Sequence, residues 1–370
     1  MKKKVLSVLL STAMAATLLV GCGEQAAETA APAAEEAAEA VEEAAPAEEA
    51  AAEEAAATDG ATYAIVTKSA GNPFNERTAS GFEEVITAAG LNCVVQHPES
   101  ATADAQIAVI QSLISQGVSS IAVAANDANA LTAALAEAKA AGIHVLTLDS
   151  DVNADSREVF CNQAGVQEIG QTLLDAVLDL TGGEGQYAIL SATSQATNQN
   201  AWIDAMKSIA ESDEKYSKLE LVEVAYGDDE PQKSTDQTQA LLQNYPDLKV
   251  ICSPTTVGIA AAAKVLQDQG SSVKLTGLGL PSEMAEYIGD DDAHSCPYMF
   301  LWNPIDLGRL AAYTSIALVN GDITGATGDT FTAGDLGDYE VVEIDGATQI
   351  ILGAPFKFDA SNIDEWKSVY

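Results

Sequence analysis

The sequence predicts an α/β protein built as two doubly wound parallel-sheet lobes, joined by a hinge that the chain crosses several times. From residue 59 onwards, short β-type runs alternate with segments whose apolar residues recur at helical spacing. This alternation is typical of parallel sheets covered by helices on both faces. The roughly 310 residues involved are too many for one compact core and enough for two.

The run at 145–151, Val-Leu-Thr-Leu-Asp-Ser-Asp, is the feature around which the rest is arranged. It follows a helix-like segment and a turn at Ala141 and Gly142, and its apolar part predicts a buried parallel strand. Its carboxyl end would present Asp149 at the edge of the sheet, where open α/β sheets bind ligands. We therefore expect Asp149 to lie at the seam between the lobes.

The remaining elements follow from the same alternation. In the first lobe we expect helices between strands at 63–67, 92–95, 119–124 and 143–148. In the second lobe we expect helices near 165–181, 199–211, 232–244 and 257–269, and strands near 186–190, 219–225, 248–252 and 273–278. A helix at 282–288, a strand at 297–302 and a long helix at 305–319 should return to the first lobe, before strand-like runs at 341–344 and 350–352. The predicted lobes are 59–150 plus 281–325 and 151–280 plus 326–370, with crossings near 150, 278 and 325.

The first 58 residues predict an export signal and a tether. Lys2, Lys3 and Lys4 precede a short apolar stretch at 5–20, and Leu-Val-Gly-Cys follows at 19–22. This arrangement over 1–22 resembles a bacterial lipoprotein signal, which implies acylation of Cys22 and a lipid anchor on the extracytoplasmic face of the cell membrane. The alternative is a plain signal peptide that contains a cysteine. Residues 23–58 are mainly Ala, Glu and Pro and predict a solvated tether.

Charge and cysteine content exclude several kinds of partner. The formal net charge is −38, with 55 acidic against 17 basic residues, and eleven of the glutamates belong to the tether. Such a surface repels nucleic acid and anionic lipid, and we interpret the acidic run at 228–230 as solvated surface. The four cysteines after Cys22 lack metal-ligand spacing and predict buried free thiols, with one disulfide as the alternative. They are Cys93, Cys161, Cys252 and Cys296.

The sequence contains no phosphate loop, nucleophile elbow, H-E-x-x-H or G-x-G-x-x-G, so we expect neither an enzyme nor a cofactor. Polar and aromatic residues instead follow the predicted strands. Carboxylates and amides can hold the hydroxyls of a neutral polyol while an aromatic ring packs against its apolar face. The candidate ligand-binding residues are Lys68, Asn72, Phe74, Asp127, Asp149, Asn198, Gln199, Pro254, Thr255 and Thr256.

Some of these residues also have a structural interpretation. Asn72 precedes Pro73, and Asn198 stands at the start of a predicted helix, so either amide could cap a helix instead. For Trp202, in the same loop as Asn198, we expect a place in the core.

A calcium loop is a competing interpretation of the segment after the central strand. Positions 1, 3, 5 and 7 of such a loop would be Asp149, Asp151, Asn153 and Asp155. However, the glycine required at position 6 is Ala154 and the glutamate required at position 12 is Phe160. We therefore favour sugar binding and expect no metal.

Seven short motifs in a fixed order give a more specific indication. They are Gly-Asn-Pro-Phe at 71–74, Leu-Asp-Ser-Asp at 148–151, Pro-Thr-Thr-Val-Gly-Ile at 254–259, Gly-Leu-Gly-Leu-Pro at 277–281, Leu-Trp-Asn-Pro-Ile-Asp-Leu-Gly at 301–308, Gly-Asp-Thr-Phe-Thr-Ala-Gly at 328–334 and Asn-Ile-Asp at 362–364. Together they resemble the rhamnose-binding branch of the type I periplasmic binding proteins, over nearly all of 60–366. The resemblance implies a monomeric, lipid-anchored receptor that captures a deoxyhexose and delivers it to the membrane permease of an ABC importer. It also adds Asn303 to the candidates, and Trp302 as an aromatic wall near the hinge, with a place in the core as the alternative for Trp302.

A sister branch that binds autoinducer-2 resembles the chain over the same length and is the alternative. Its binding pattern is a Lys, an Asp, an adjacent Asp-Gln pair, and a Pro followed two residues later by Ala. Asn198 stands where that pattern has aspartate, and Thr256 stands where it has alanine. Because an amide can donate where a carboxylate only accepts, these two departures favour rhamnose. The four matching residues are Lys68, Asp149, Gln199 and Pro254.

Overall fold

The computed structural model describes residues 60–370, so the predicted signal, Cys22 and the tether lie outside the described residues. In chain order the strands are β1 (Thr62–Val66), β2 (Asn92–Gln96), β3 (Ser120–Val123), β4 (His144–Leu148), β5 (Val159–Asn162), β6 (Gly185–Ser191), β7 (Leu219–Tyr226), β8 (Leu248–Ser253), β9 (Lys274–Gly277), β10 (Tyr298–Leu301), β11 (Thr330–Thr332), β12 (Asp338–Glu340), β13 (Val342–Ile344), β14 (Ala347–Ile351) and β15 (Phe356–Asp359). The helices are α1 (Pro73–Ala88), α2 (Ala103–Gln116), α3 (Thr132–Ala140), α4 (Val166–Thr181), α5 (Thr197–Ser212), α6 (Pro231–Asn244), α7 (Thr256–Asp268), α8 (Pro281–Met284), α9 (Pro304–Asn320) and α10 (Ile363–Trp366).

The first lobe is built on a sheet of seven strands in the order β13-β14-β5-β4-β3-β1-β2. Its neighbouring strands are parallel except for β13 and β14. In β1, Tyr63 and Ile65 belong to the core shared with α1 and α9, whereas Ala64 and Val66 belong to the core shared with α2 and α3. Both alternating faces are therefore apolar, which explains why these strands appear in the sequence as continuous hydrophobic runs.

The second lobe is built on a parallel sheet in the order β7-β6-β8-β9. Its core includes Leu173 from α4, Ile203 from α5 and Ile259 from α7. An antiparallel ribbon of β10 and β15 continues this lobe beside β9, where Leu278 forms a bridge with Phe300. The predicted class, two doubly wound parallel α/β lobes, is confirmed.

Two glycines allow α1 and α9 to pack closely in the first lobe. A Cβ atom added at Gly308 would lie 1.9 Å from the carbonyl oxygen of Thr78, and one added at Gly81 would lie 2.0 Å from the carbonyl oxygen of Ile305. Neither position has room for a side chain. This contact returns α9 to the first lobe, as the sequence predicted.

The chain crosses between the lobes at three places. It crosses at 163–165 between β5 and α4, at 302–303 between β10 and α9, and at 352–355 between β14 and β15. The first and third crossings run side by side, since the backbone N–H of Leu352 donates to the carbonyl of Asn162 at 2.8 Å. The crossings therefore differ from those predicted near 150, 278 and 325.

The predicted lobe boundaries need correction for the same reason. β5, β13 and β14, assigned to the second lobe from sequence, belong to the first sheet, whereas β10 belongs to the second lobe. No crossover helix separates β4 from β5; a short 3₁₀ turn at Ala154–Ser156 joins them, and Leu146 pairs with Val159. The expected strand-helix rhythm therefore placed the boundary at 150, one strand too early. The helix predicted at 282–288 is the single turn α8.

The four cysteines among the described residues are free thiols, as the sequence predicted. Burial raises the pKa of the Cys161 and Cys252 thiols to about 12, so both are neutral near pH 7. Within residues 60–370, no helix combines the length and apolar character needed to cross a membrane.

Candidate ligand-binding site

A cavity lies between the lobes, at the carboxyl ends of the strands of both sheets. It encloses about 360 Å³ of empty space, counted out to its opening. The lining residues are Lys68, Asn72, Phe74, Asn75 and Asp149 from the first lobe, Gln199, Trp202, Asp229, Pro254, Thr255, Thr256, Leu278 and Leu301 from the second, and Trp302 at a crossing.

A lysine joins the two lobes across this cavity. Nζ of Lys68, which follows β1, donates to Oδ1 of Asn198 at 2.8 Å and lies 3.5 Å from Oε1 of Gln199. The same ammonium group is 3.3 Å from the carboxylate of Asp149. Asn198 also donates to that carboxylate through Nδ2, at 3.3 Å. The network thus brings together four of the residues that the sequence singled out.

Asp149 occupies an uncommon backbone conformation at the end of β4. Its φ is +60°, in the left-handed region that non-glycine residues adopt at some cost. Its side chain is buried, and this burial raises the pKa of the carboxyl group. The Lys68 ammonium and the Asn198 amide oppose that rise by stabilising the charged form. A strained, buried carboxylate at a strand end is therefore the central acceptor of the cavity.

Asp229 is a second carboxylate in the cavity, and the sequence interpretation missed it. The acidic run at 228–230 was interpreted as solvated surface, yet Asp229 lines the cavity and its carboxylate accepts a hydrogen bond from Thr255. Burial raises the pKa of Asp229; the Thr255 hydrogen bond and Lys68 lower it, and Asp149 raises it further. The sequence did hold one indication of this role: the acidic run comes just after the end of the strand β7, where ligand-binding residues are expected.

Three aromatic rings form the apolar wall of the cavity. The Trp302 ring meets Phe74 edge-on at a centroid distance of 6.3 Å and Trp202 at 5.7 Å. Trp202 is fully packed, as predicted, but it also contributes to the lining. The indole N–H of Trp302 is buried and has no hydrogen-bond partner among the described residues. A bound ligand could supply the missing acceptor.

The amides differ in how much of each remains free to meet a ligand. Asn72 caps α1, because its Oδ1 accepts from the backbone N–H of Phe74 at 3.0 Å. Its amino group is the part left to face the cavity. Asn75 also lines the cavity and donates to the carbonyl of Ser69 at 2.9 Å.

Three predicted residues do not line the cavity: Asn198, which contacts the lining residues Lys68 and Asp149, and also Asp127 and Asn303. Asp127 stabilises a turn by accepting from the backbone N–H groups of Asn129 and Ala130, both at 2.8 Å. Asn303 caps α9 and accepts from the backbone N–H of Ile305 at 3.0 Å. Both side chains thus hold local structure near the site.

Asp151, a member of the calcium-loop pattern, is already paired with Arg157. The guanidinium donates to both oxygens of that carboxylate, at 2.8 and 2.5 Å, and also to the carbonyl of Thr348 in β14. Asp151 therefore fixes the strand β14 against β5. Among residues 60–370, no cluster of three or more His, Cys, Asp or Glu side chains is arranged to hold a metal ion.

Comparison with known protein families agrees with this two-lobed site. The profile of the periplasmic binding protein domain matches residues 63–323, which covers most of the described chain. The chain belongs to the periplasmic binding protein family. Within that family it is a type I sugar-binding member.

Several relatives of this periplasmic binding protein have known structures or assigned roles. An ABC transporter solute-binding protein from Clostridium phytofermentas, solved with bound L-rhamnose, is 63% identical, with a TM-score of 0.83 over 84% of this chain and 99% of that one. LsrB from Clostridium saccharobutylicum, solved with AI-2, is 22% identical, with a TM-score of 0.76 over 82% of this chain and 99% of that one. The ribose import binding protein RbsB of Bacillus subtilis is 21% identical over 58% of this chain and 68% of its own length. The two more distant relatives share the fold.

Proposed function

We propose that this protein is an extracytoplasmic solute-binding protein that captures L-rhamnose and delivers it to an ABC importer. The observation that carries the proposal is the 63% identity to the L-rhamnose-bound protein over 84% of this chain. At that identity, and over that share of the chain, the residues of a ligand cavity are expected to be largely shared. The two more distant relatives are named for AI-2 and for ribose, so they do not indicate which sugar this protein binds.

The lining of the cavity supports a neutral, hydroxyl-rich ligand. Two carboxylates, Asp149 and Asp229, can accept hydrogen bonds from sugar hydroxyls. The Lys68 ammonium can donate hydrogen bonds to the oxygens of those hydroxyls. The aromatic wall gives an apolar surface for the carbon face of the ring. An anionic sugar is disfavoured, because it would add negative charge beside the buried Asp149 and the half-buried Asp229.

Ligand capture would proceed by closure of the two lobes. Asp149 and Lys68 act from the first lobe, while Gln199, Asp229 and Thr255 act from the second. A sugar that contacts both sets binds only the closed arrangement well, and it therefore shifts the population toward closure. The closed form is then the one that the permease receives.

We also propose that the protein acts as a monomer tethered through an acylated Cys22. Residues 19–22 have the lipoprotein pattern, and the acidic segment after them contains no large core-forming cluster. Cys22→Ala should move the protein from the membrane fraction to the soluble fraction. A Cys22→Ala protein that stays in the membrane fraction would disprove lipid anchoring at this residue.

The ligand proposal is tested by isothermal calorimetry and thermal unfolding with a panel of L-rhamnose, L-fucose, D-ribose and autoinducer-2. L-rhamnose at a hundred times its dissociation constant should stabilise the folded state by about 2.7 kcal/mol. The other compounds should give smaller shifts at equal concentration. A protein that responds to autoinducer-2 and ignores L-rhamnose would overturn the proposal in favour of the sister branch.

A further inference from the structure

The cavity has a polar region and a separate apolar region, and this division bears on which edge of a sugar faces each. The apolar residues are contiguous: Trp302 touches Phe74 and Trp202, and Leu301 precedes Trp302 in the chain. Leu278 is held beside them because the backbone N–H of Gly279 donates to the carbonyl of Phe300 at 3.1 Å. The polar lining residues follow the ends of other strands. The charged residues of this polar region are Lys68, Asp149 and Asp229.

One unpaired donor lies within the apolar region. The indole Nε1–H of Trp302 is buried and has no hydrogen-bond partner among residues 60–370, and the side chain is only 4% exposed. An indole N–H can donate but cannot accept, so its partner must be a pure acceptor or a hydroxyl with a free lone pair. A buried donor without a partner costs stability, which favours any ligand that supplies the acceptor.

A 6-deoxyhexopyranose has one edge that matches this arrangement. Its ring oxygen accepts hydrogen bonds and cannot donate, and the carbon next to it carries the methyl group. The remaining edges of the sugar carry hydroxyl groups, which suit the charged part of the lining. The methyl group and the ring oxygen are adjacent, and the two leucines line the same cavity as Trp302.

We infer that Trp302 recognises the ring-oxygen and methyl edge of the sugar. Its indole N–H donates to the ring oxygen, while Leu278, Leu301 and the indole face enclose the methyl group. This rests on the proposed function and deepens it, because it makes the site selective for sugars without a hydroxyl at C6. A C6 hydroxyl would be placed against leucine side chains with no partner, and that loss of hydration is unfavourable.

The hydrogen bond is tested by a double-mutant cycle between protein and ligand. Wild type and Trp302→Phe are titrated by calorimetry with L-rhamnose and with its carbocyclic analogue, in which a methylene replaces the ring oxygen. Removing either partner should weaken binding on the order of tenfold. Removing both should cost little more than removing one, because the two changes delete the same bond. Losses that multiply would overturn the inference.

Trp202→Phe is the matched control, since it removes an indole N–H from the same ring cluster. It should affect L-rhamnose and the carbocyclic analogue by the same factor. If Trp302→Phe does not fold, the wild type alone still decides, because equal affinity for the two sugars would exclude a hydrogen bond to the ring oxygen.

The methyl pocket is tested with two further sugars on the wild type. L-mannose carries a hydroxyl at C6, and L-lyxose lacks C6 altogether; otherwise both match L-rhamnose. Each should bind about tenfold or more weakly. L-mannose binding as tight as that of L-rhamnose would overturn the pocket. A wild type that ignores L-rhamnose overturns the proposed function as well, whereas L-rhamnose binding without the coupling or the selectivity overturns this inference alone.

Discussion

Nζ of Lys68 in the first lobe lies 2.8 Å from Oδ1 of Asn198 in the second lobe, so one ammonium group joins the two halves of the protein inside the ligand cavity. The same group is 3.3 Å from the Asp149 carboxylate, and it lowers the pKa of both Asp149 and Asp229 against the effect of burial. Closure of the cleft and the charge state of the acceptors thus depend on the same side chain.

Lys68→Met should weaken L-rhamnose binding on the order of tenfold to a hundredfold. Methionine fills a similar volume but cannot donate to Asn198, and it leaves the buried Asp149 and the half-buried Asp229 without their cation. The dissociation constant from calorimetry at pH 7 measures the effect. Small-angle scattering should also show that more sugar is needed to reach the compact form.

The control for this change is Lys264→Met, which removes a lysine from an exposed pair with Asp268 on α7. Such exposed pairs contribute little to stability, so binding and unfolding temperature should stay close to those of the wild type. If Lys68→Met behaves like Lys264→Met, then Lys68 does not organise the site.

Asp229→Asn should raise the unfolding temperature of the ligand-free protein near pH 7. Burial raises the pKa of Asp229 in the folded state, so the folded protein retains a proton that the unfolded chain has already lost. This contribution to stability is complete below the unfolded pKa of about 3.9 and disappears as the pH rises through the raised value. Asparagine carries no charge at any pH, so the variant should gain a few degrees, roughly the effect of 1 kcal/mol.

The pH dependence separates this explanation from a simple packing effect. The gain from Asp229→Asn should be larger at pH 7.5 than at pH 4, as measured by differential scanning fluorimetry. Sugar affinity should fall by about tenfold, because a carboxyl group that accepts from sugar hydroxyls is lost. Asp290→Asn, at an exposed carboxyl group, is the matched control and should change neither quantity. A gain that is equal at both pH values would contradict the buried-charge account.

Most helices and strands could be predicted because the periodicity of apolar residues that indicates each one lies within the segment itself. The helices α4, α5, α6 and α7 begin and end within two residues of their predicted limits. The prediction failed where it depended on pairing partners. The strand β5 was not predicted and β14 was placed in the wrong lobe, yet the two pair through Cys161 and Ile350, far apart in the chain. No periodicity in either strand indicates which sheet it will join.

A residue of the site could be predicted from sequence only where it stands directly after a clear strand and differs in character from the residues of that strand. Asp149 met that condition, since it ends a long apolar run. Asp229 did not, because a run of three acidic residues is usually solvated, and only the approach of Thr255 and Lys68 places it inside the cavity. The unpaired indole N–H of Trp302 is a property of packing and leaves no trace in the sequence.

Gly308→Ala should destabilise the first lobe. Its new Cβ atom would lie 1.9 Å from the carbonyl oxygen of Thr78, a rigid backbone atom of α1, so the two helices must move apart. Overpacking of this kind costs about 1–3 kcal/mol, which should lower the unfolding temperature by several degrees. Gly353→Ala is the control, because a Cβ atom there meets open space. Equal unfolding temperatures for the two variants would show that α1 and α9 are not closely packed.

Asn198→Asp combined with Thr256→Ala should lower the affinity for L-rhamnose by about tenfold or more. Asn198 donates through Nδ2 to the Asp149 carboxylate at 3.3 Å, and an aspartate there would oppose that carboxylate with a like charge. The alanine removes a hydroxyl from the lining and enlarges the cavity, which leaves sugar hydroxyls without a partner. Calorimetry on both single variants and the double variant separates the two effects. Asn200→Asp introduces the same charge on the same helix outside the cavity and should leave the dissociation constant unchanged. If the double variant binds L-rhamnose as tightly as the wild type, these two positions do not determine the choice between the rhamnose and autoinducer-2 branches.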